Sequence, residues 1–244
     1  MQSNNPILTR SETYADYSQP MTVQGAIQKS ILLTVIAAIV GIAFYVYCFA
    51  TANVGMAMTG AIVGAVGSLI LGLITTFKPN TARMLAIPYA LFEGAFLGGI
   101  SIYFQMKFPG VPLQALLATF VTSLVMFGLY KFKIIRATAK FKAVIMSASI
   151  AIFIVFLVQM VMRLAFGSSI PYLFESNLLG IGFAAFVAVI ASFSLILDFD
   201  LIESAAAQRA PKSYEWLCGI ALLATLVWMY YSFLRLIGLL SSND

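Results

Sequence analysis

Histidine is absent from all 244 residues. Its absence excludes imidazole metal sites and the one side chain whose ordinary titration falls near neutral pH. Acidic residues are scarce, nine Asp and Glu in all, and charged residues make up only 9% of the chain. A soluble domain carries about 25%, so water is not the main solvent of this fold. The two cysteines, Cys48 and Cys218, lie in apolar segments without metal-ligand spacing. They read as small hydrophobes, and their positions alone do not argue for a disulfide. HExxH, GxSxG and Walker patterns are also missing. Without histidine only an aspartyl dyad remains for hydrolysis within a membrane, and one firm membrane acid on each of two helices does not make that dyad. The chain is therefore expected not to be an enzyme and to need no cofactor.

Apolar residues make up 61% of the chain, and mean hydropathy is +0.98. A helix needs roughly 20 apolar residues to cross the ~30 Å hydrocarbon layer. Seven segments meet that length: about 30–52, 54–77, 84–105, 113–131, 143–165, 178–199 and 216–240. No period-two alternation runs through them, so they read as helices, not barrel strands. The fold class expected is an all-α integral membrane protein, a seven-transmembrane-helix bundle. Pro79, Pro109, Pro112, Pro171 and Pro211 fall between spans, as helix breakers should. Residues 1–28 read as a polar tail and 29–244 as the membrane domain. The opening stretch MQSNNPILTRSETYADYSQP has no apolar run after a basic start, so it does not read as a cleavable signal peptide.

The net charge of +5 would hint at nucleic acid in a soluble protein, but here it is a topology signal. With the N-terminus inside, eleven of the 14 Lys and Arg lie on the cytoplasmic side. Five of them (Lys131, Lys133, Arg136, Lys140 and Lys142) fall in KFKIIRATAKFK. Lys107, Arg163 and Arg235 remain outside. The N-terminus is thus expected in the cytoplasm and the C-terminus on the opposite side. The basic loop either sets topology alone or also meets anionic lipid or a protein partner.

Small residues at steps of three and four (Gly60, Gly64, Gly67, Ser68, Gly72) mark the second span, and Gly94, Gly98 and Ser101 mark the third. Such stripes let helix backbones approach closely, so these two helices are expected to be central and close-packed. Polar groups at membrane depth are few. Glu93 lies near the middle of the third span, where an ionisable group costs at least ~2.5–3.5 kcal/mol; it is too short to snorkel. Asp198 lies at the inner end of the sixth span, in SLILDFDLIE, followed by Asp200 and Glu203, which read as a solvated helix end. Gln159 and Arg163 lie one turn apart on the fifth. Cys218, Thr225, Trp228, Ser232 and Arg235 share one face of the seventh. Thr225 and Ser232 either bond backward to their own helix or face the bundle. Arg235 either snorkels to the headgroups or points inward.

The stretches PYALFEGAFLGGIS, FKIIRATAKFK and LILDFDLIE…APKSYEWLCGIALLATLVWMYYSFLRLIGLL resemble the Bax inhibitor-1 family, in a bacterial branch. The resemblance runs from about residue 25 to the end. It implies seven helices, a central hydrophobic one surrounded by the others, and a pH-sensitive calcium leak. In that family an aspartate on the sixth helix shares a proton with one on the seventh. Asp198 matches the first, Arg235 matches the arginine of the last helix, and the second aspartate falls at Thr225, so the pair is not present as such. A Glu93–Asp198 pair is the substitute considered, with both carboxylates as transient calcium contacts; Glu93 paired with Arg83 or Arg235 is the structural alternative. The function expected is a pH-sensitive cation (calcium) leak channel of a bacterial inner membrane, with Asp198, Glu93, Arg235, Thr225 and Asp200 along its ion path. The alternative is a non-conducting regulatory protein that modulates a membrane protease or other membrane partners. Expected partners are calcium or other cations, the lipid bilayer and other membrane proteins, with no nucleic acid.

Overall fold

The computed structural model describes residues 20–167 and 170–242, with the side chains of 163 and 164 excepted. Most of the polar tail (1–19), the Arg163 side chain and the last two residues lie outside the described residues. Seven helices follow in order: α1 (Val23–Ala50), α2 (Val54–Phe77), α3 (Ala82–Lys107), α4 (Val111–Lys131), α5 (Ala139–Phe166), α6 (Leu178–Ala207) and α7 (Tyr214–Ser241). Each is long and apolar enough to cross a membrane. A single 3-10 turn at Pro79–Thr81 joins α2 to α3.

Local chemistry sets the helix ends. Thr22 caps α1 by accepting the Gly25 N–H (2.9 Å), Asn53 caps α2 through Met56 (2.9 Å), Thr138 caps α5 through Phe141 (3.3 Å) and Asn177 caps α6 through Gly180 (2.8 Å). Gly110 reaches φ +89° just before α4, a conformation that suits glycine. Two prolines depart from the expected punctuation. Pro112 occupies the first turn of α4, where its missing N–H is harmless. Pro88 sits inside α3, five residues before Glu93, and leaves the Met84 carbonyl without its helical donor. Helix α6 also runs eight residues past the expected 199. Asp198 is therefore not at the helix end but about 13 Å inside it, at 1.5 Å per residue.

The central element is α7. It packs against α1, α3, α4 and α6, and more than half of its apolar window is buried (56%), as in α6. The expectation that α2 and α3 are both central holds only for α3, which is clasped between α1 and α2. Helix α2 is peripheral because its small residues line one face alone; Ile62, Val63, Val66 and Ile70 on the other side are exposed to the surrounding lipid. On the packed face the backbones nearly touch. A Cβ at Gly64 would sit 2.5 Å from the Phe96 nitrogen and 2.6 Å from the Phe92 carbonyl oxygen. On the other side of α3, a Cβ at Gly94 would sit 2.7 Å from the Ala37 carbonyl oxygen of α1. The core beneath joins Leu33 and Ala37 of α1, Ala86, Tyr89 and Ala90 of α3, and Leu223 and Val227 of α7.

Gly64→Ala is expected to force α2 off α3 and to lower stability by about 1–3 kcal/mol, read as a drop in the apparent Tm of purified protein. Gly128→Ala, with open space around the added carbon, is the matched control and should leave Tm unchanged or slightly higher.

Candidate functional site

Two carboxyls, Asp198 and Glu93, lie deep among the helices, and the structure does not bring them together. Asp198 projects from α6 toward α7, where the Thr225 hydroxyl stands beside its carboxyl. One carboxyl oxygen, Oδ2, is fully buried and has no hydrogen-bond partner. Thr225 is buried about 16 Å into α7 from Tyr214. Cys218, two turns earlier on α7, lies within electrostatic reach of Asp198. A buried carboxylate oxygen without a protein donor or counter-charge is costly when ionised.

Glu93 has a different setting. The Tyr89 hydroxyl, one turn earlier on α3, donates to Glu93 Oε1 at 2.6 Å, and Ser68 of α2, which donates to the Ala65 carbonyl oxygen, lies nearby. Both the carboxyl and Tyr89 are buried. Helix α3 packs on α1, α2 and α7 but shares no substantial interface with α6, so the Glu93–Asp198 pair gives way to two separate centres flanking α7. Glu93 also makes no pair with Arg83 or Arg235: among the described residues the salt bridges are Lys29–Glu215 and Lys142–Asp200.

The acids after Asp198 are not a plainly solvated helix end. Asp200 pairs with Lys142 at the start of α5, and Glu203 accepts the Tyr130 hydroxyl of α4 at 2.7 Å. These contacts tie the acidic C-terminal part of α6 to α4 and α5. At the opposite end, Arg235 does not snorkel. It is 8% exposed, donates from Nη2 to the Leu173 carbonyl oxygen at 2.7 Å and lies over the Phe174 ring at 4.2 Å, with Phe183 and Phe156 at 5.4 and 5.8 Å. Its Nη1 has no hydrogen-bond partner, and the aromatic faces supply the remaining electrostatic support. Gln159 accepts the Ile170 N–H at 2.8 Å, holding the same connection between α5 and α6. Ser232 bonds backward to Trp228, as one of its two options had it.

Glu215 was not singled out among the sequence candidates. It is 2% exposed and accepts from the Thr22 backbone N–H (3.1 Å) and hydroxyl (3.3 Å), with Lys29 Nζ at 3.9 Å. A carboxylate in the first turn of α7 thus also sits at the N-terminus of α1, where unpaired N–H groups favour negative charge. Met21 adds an N–H bond to the Ala210 carbonyl oxygen at 2.8 Å. In sequence, Glu215 reads as an ordinary first-turn acid of its own helix; the extra partner lies 193 residues away. The available signal was the pairing of an S/T cap, Thr22, with a nearby lysine, Lys29.

No three His, Cys, Asp or Glu side chains converge among the described residues. Calcium prefers six to eight oxygen ligands, and each deep carboxyl here stands alone. Replacing Glu215 by Ala removes a charge-assisted contact of about 1.5–3 kcal/mol. Hydrogen exchange across residues 22–26 should accelerate, while exchange in the middle of α3 stays unchanged; unaltered exchange at 22–26 would show that Glu215 does not hold α1.

The family model described as Bax inhibitor 1 like matches residues 5–242, nearly the whole chain. No curated protein and no solved structure matches it.

Proposed function

The chain belongs to the Bax inhibitor 1 like family, and from that premise we propose that it is a pH-sensitive cation leak channel, with calcium the leading candidate ion, in a bacterial inner membrane. The N-terminus is cytoplasmic in this proposal and the C-terminus lies on the opposite side, following the distribution of Lys and Arg. No catalytic step is involved. The observation that carries the reading is Asp198: a carboxyl at membrane depth, in the contact between α6 and α7, beside the Thr225 hydroxyl and with its buried Oδ2 without a hydrogen-bond partner.

The protonated acid is compatible with that closed contact. Ionising it puts a charge where no donor or cation waits, and the relief available is admission of water or a cation between α6 and α7. Thr225 is neutral and can either donate to the carboxylate or accept from the acid. Asp198 therefore acts as a single switch here, without a second carboxyl on α7. The two large cavities of the bundle are lined by neither Asp198 nor Glu93, so conduction requires α6 and α7 to move apart. That same closure favours the second reading, a non-conducting regulatory protein acting on membrane partners such as a protease.

Liposomes loaded with a calcium-sensitive dye and carrying the purified chain separate the two. The channel reading expects flux that changes with pH in the native protein and a flat pH profile in Asp198→Asn. Thr225→Asp, which adds a coupled carboxyl, should move or broaden the profile. Native protein that passes no ion at any pH would leave the regulatory reading.

A further inference from the structure

Helices α1 and α4 flank a long groove and do not close it by packing against each other; α7 runs along its floor, joined by α6 at the basic end and by α3 at the other. Its part at the basic end has a volume of about 950 Å³ and is walled by residues such as Ile27, Ile31, Leu124, Phe127 and Leu222. Its part at the opposite end has a volume of about 530 Å³ and includes Ile42, Tyr45, Leu116 and Phe120. The two share Thr34, Ser123 and Leu226 in their walls. From Val23 to Tyr45 on α1 the groove runs about 33 Å, the thickness of the hydrocarbon layer.

The hydroxyls midway along this groove are bonded to their own helices. Ser30 bonds the Ala26 carbonyl oxygen (2.9 Å), Thr34 that of Ser30 (2.8 Å) and Ser123 that of Thr119 (2.6 Å). A water molecule needs two to four polar partners to stay, and an unfilled gap forfeits dispersion contacts along its walls. Hydrocarbon fits both conditions. The mouth at the basic end is different: Lys131, Lys133 and Arg136 are exposed and line it. Of the acids there, Asp200 is paired with Lys142, and Glu203, which accepts the Tyr130 hydroxyl, keeps its charge, so three cations face one carboxylate and the mouth keeps a net positive charge for an anion.

We propose that this groove binds an anionic phospholipid of the bilayer, its phosphate at Lys131, Lys133 and Arg136 and an acyl chain lying between α1 and α4 over α7. The basic loop then does more than set orientation. It selects a headgroup, while the dry walls hold the tail and keep α1 and α4 apart.

The test uses the full chain in phosphatidylcholine nanodiscs containing a phosphatidylglycerol analogue with a photoreactive group in its acyl chain. Labelling should concentrate on Ile31 and Leu124, which line the groove, over Ile62 and Val66 on the outer face of α2. Unlabelled phosphatidylglycerol should compete and extra phosphatidylcholine should not. The triple variant Lys131→Gln, Lys133→Gln, Arg136→Gln should lose at least about tenfold of this preference, since each cation near anionic lipid contributes. Thr34→Phe, which fills the groove with the mouth intact, should lower labelling of Leu124. Equal labelling of α2, equal competition by phosphatidylcholine, or cross-links from the groove to a second copy of the chain would each overturn the assignment. None of these readouts depends on ion flux, so the groove and the leak can fail separately.

Discussion

A polar group surrounded by hydrocarbon has to find its partner inside the protein, because lipid tails offer none. That constraint organises the bundle around α7. Thr225 of this helix meets Asp198, its Tyr230 hydroxyl meets Ser101 of α3 at 2.7 Å, and its Arg235 reaches the Leu173 carbonyl between aromatic rings. Glu215, at its first turn, holds the start of α1. Helix α7 is thus the polar hub as well as the buried core, and its neighbours are arranged so that each polar group has an answer. Among the described residues, the buried groups that remain incompletely answered are Asp198 Oδ2 and Arg235 Nη1, and both lie at contacts of α7 with its neighbours.

The seven spans were legible because apolar length is a local property that needs no knowledge of neighbours. Glycine stripes announced the α2–α3 contact for the same reason: a run of small residues marks its own face. Whether a helix is central is not local. Helix α2 carries the most conspicuous stripe and is peripheral, while α7 has no stripe and is surrounded on several sides. Asp198 and Thr225 could each be picked out singly from spacing and resemblance, and their meeting required only that α6 and α7 be neighbours. Pairing Glu93 with Asp198 required α3 beside α6, which no pattern along the chain specifies. Arg235 and Glu215 were hard for a related reason. Their surroundings come from a connecting segment and from a helix start distant in sequence.

Separating Glu93 from Asp198 changes what coupling between them would require. Close carboxyls titrate as one unit; carboxyls on different helices can influence each other only through an element whose position both of them bias. Here that element is α7, which packs against α3 on one side and α6 on another. Tyr89, the donor to Glu93, sits in the same buried cluster as Leu223 and Val227, the residues on either side of Thr225. A displacement of α7 that opens the Asp198 contact therefore also disturbs the packing behind Tyr89. Such coupling acts by rigid-body movement and not by a shared proton, so it does not need a second acid on α7. It also explains how a bundle with Thr225 in that position can retain two membrane acids, each with its own partners. The groove between α1 and α4 has α7 as its floor, and whatever fills it presses on the same helix from a third direction.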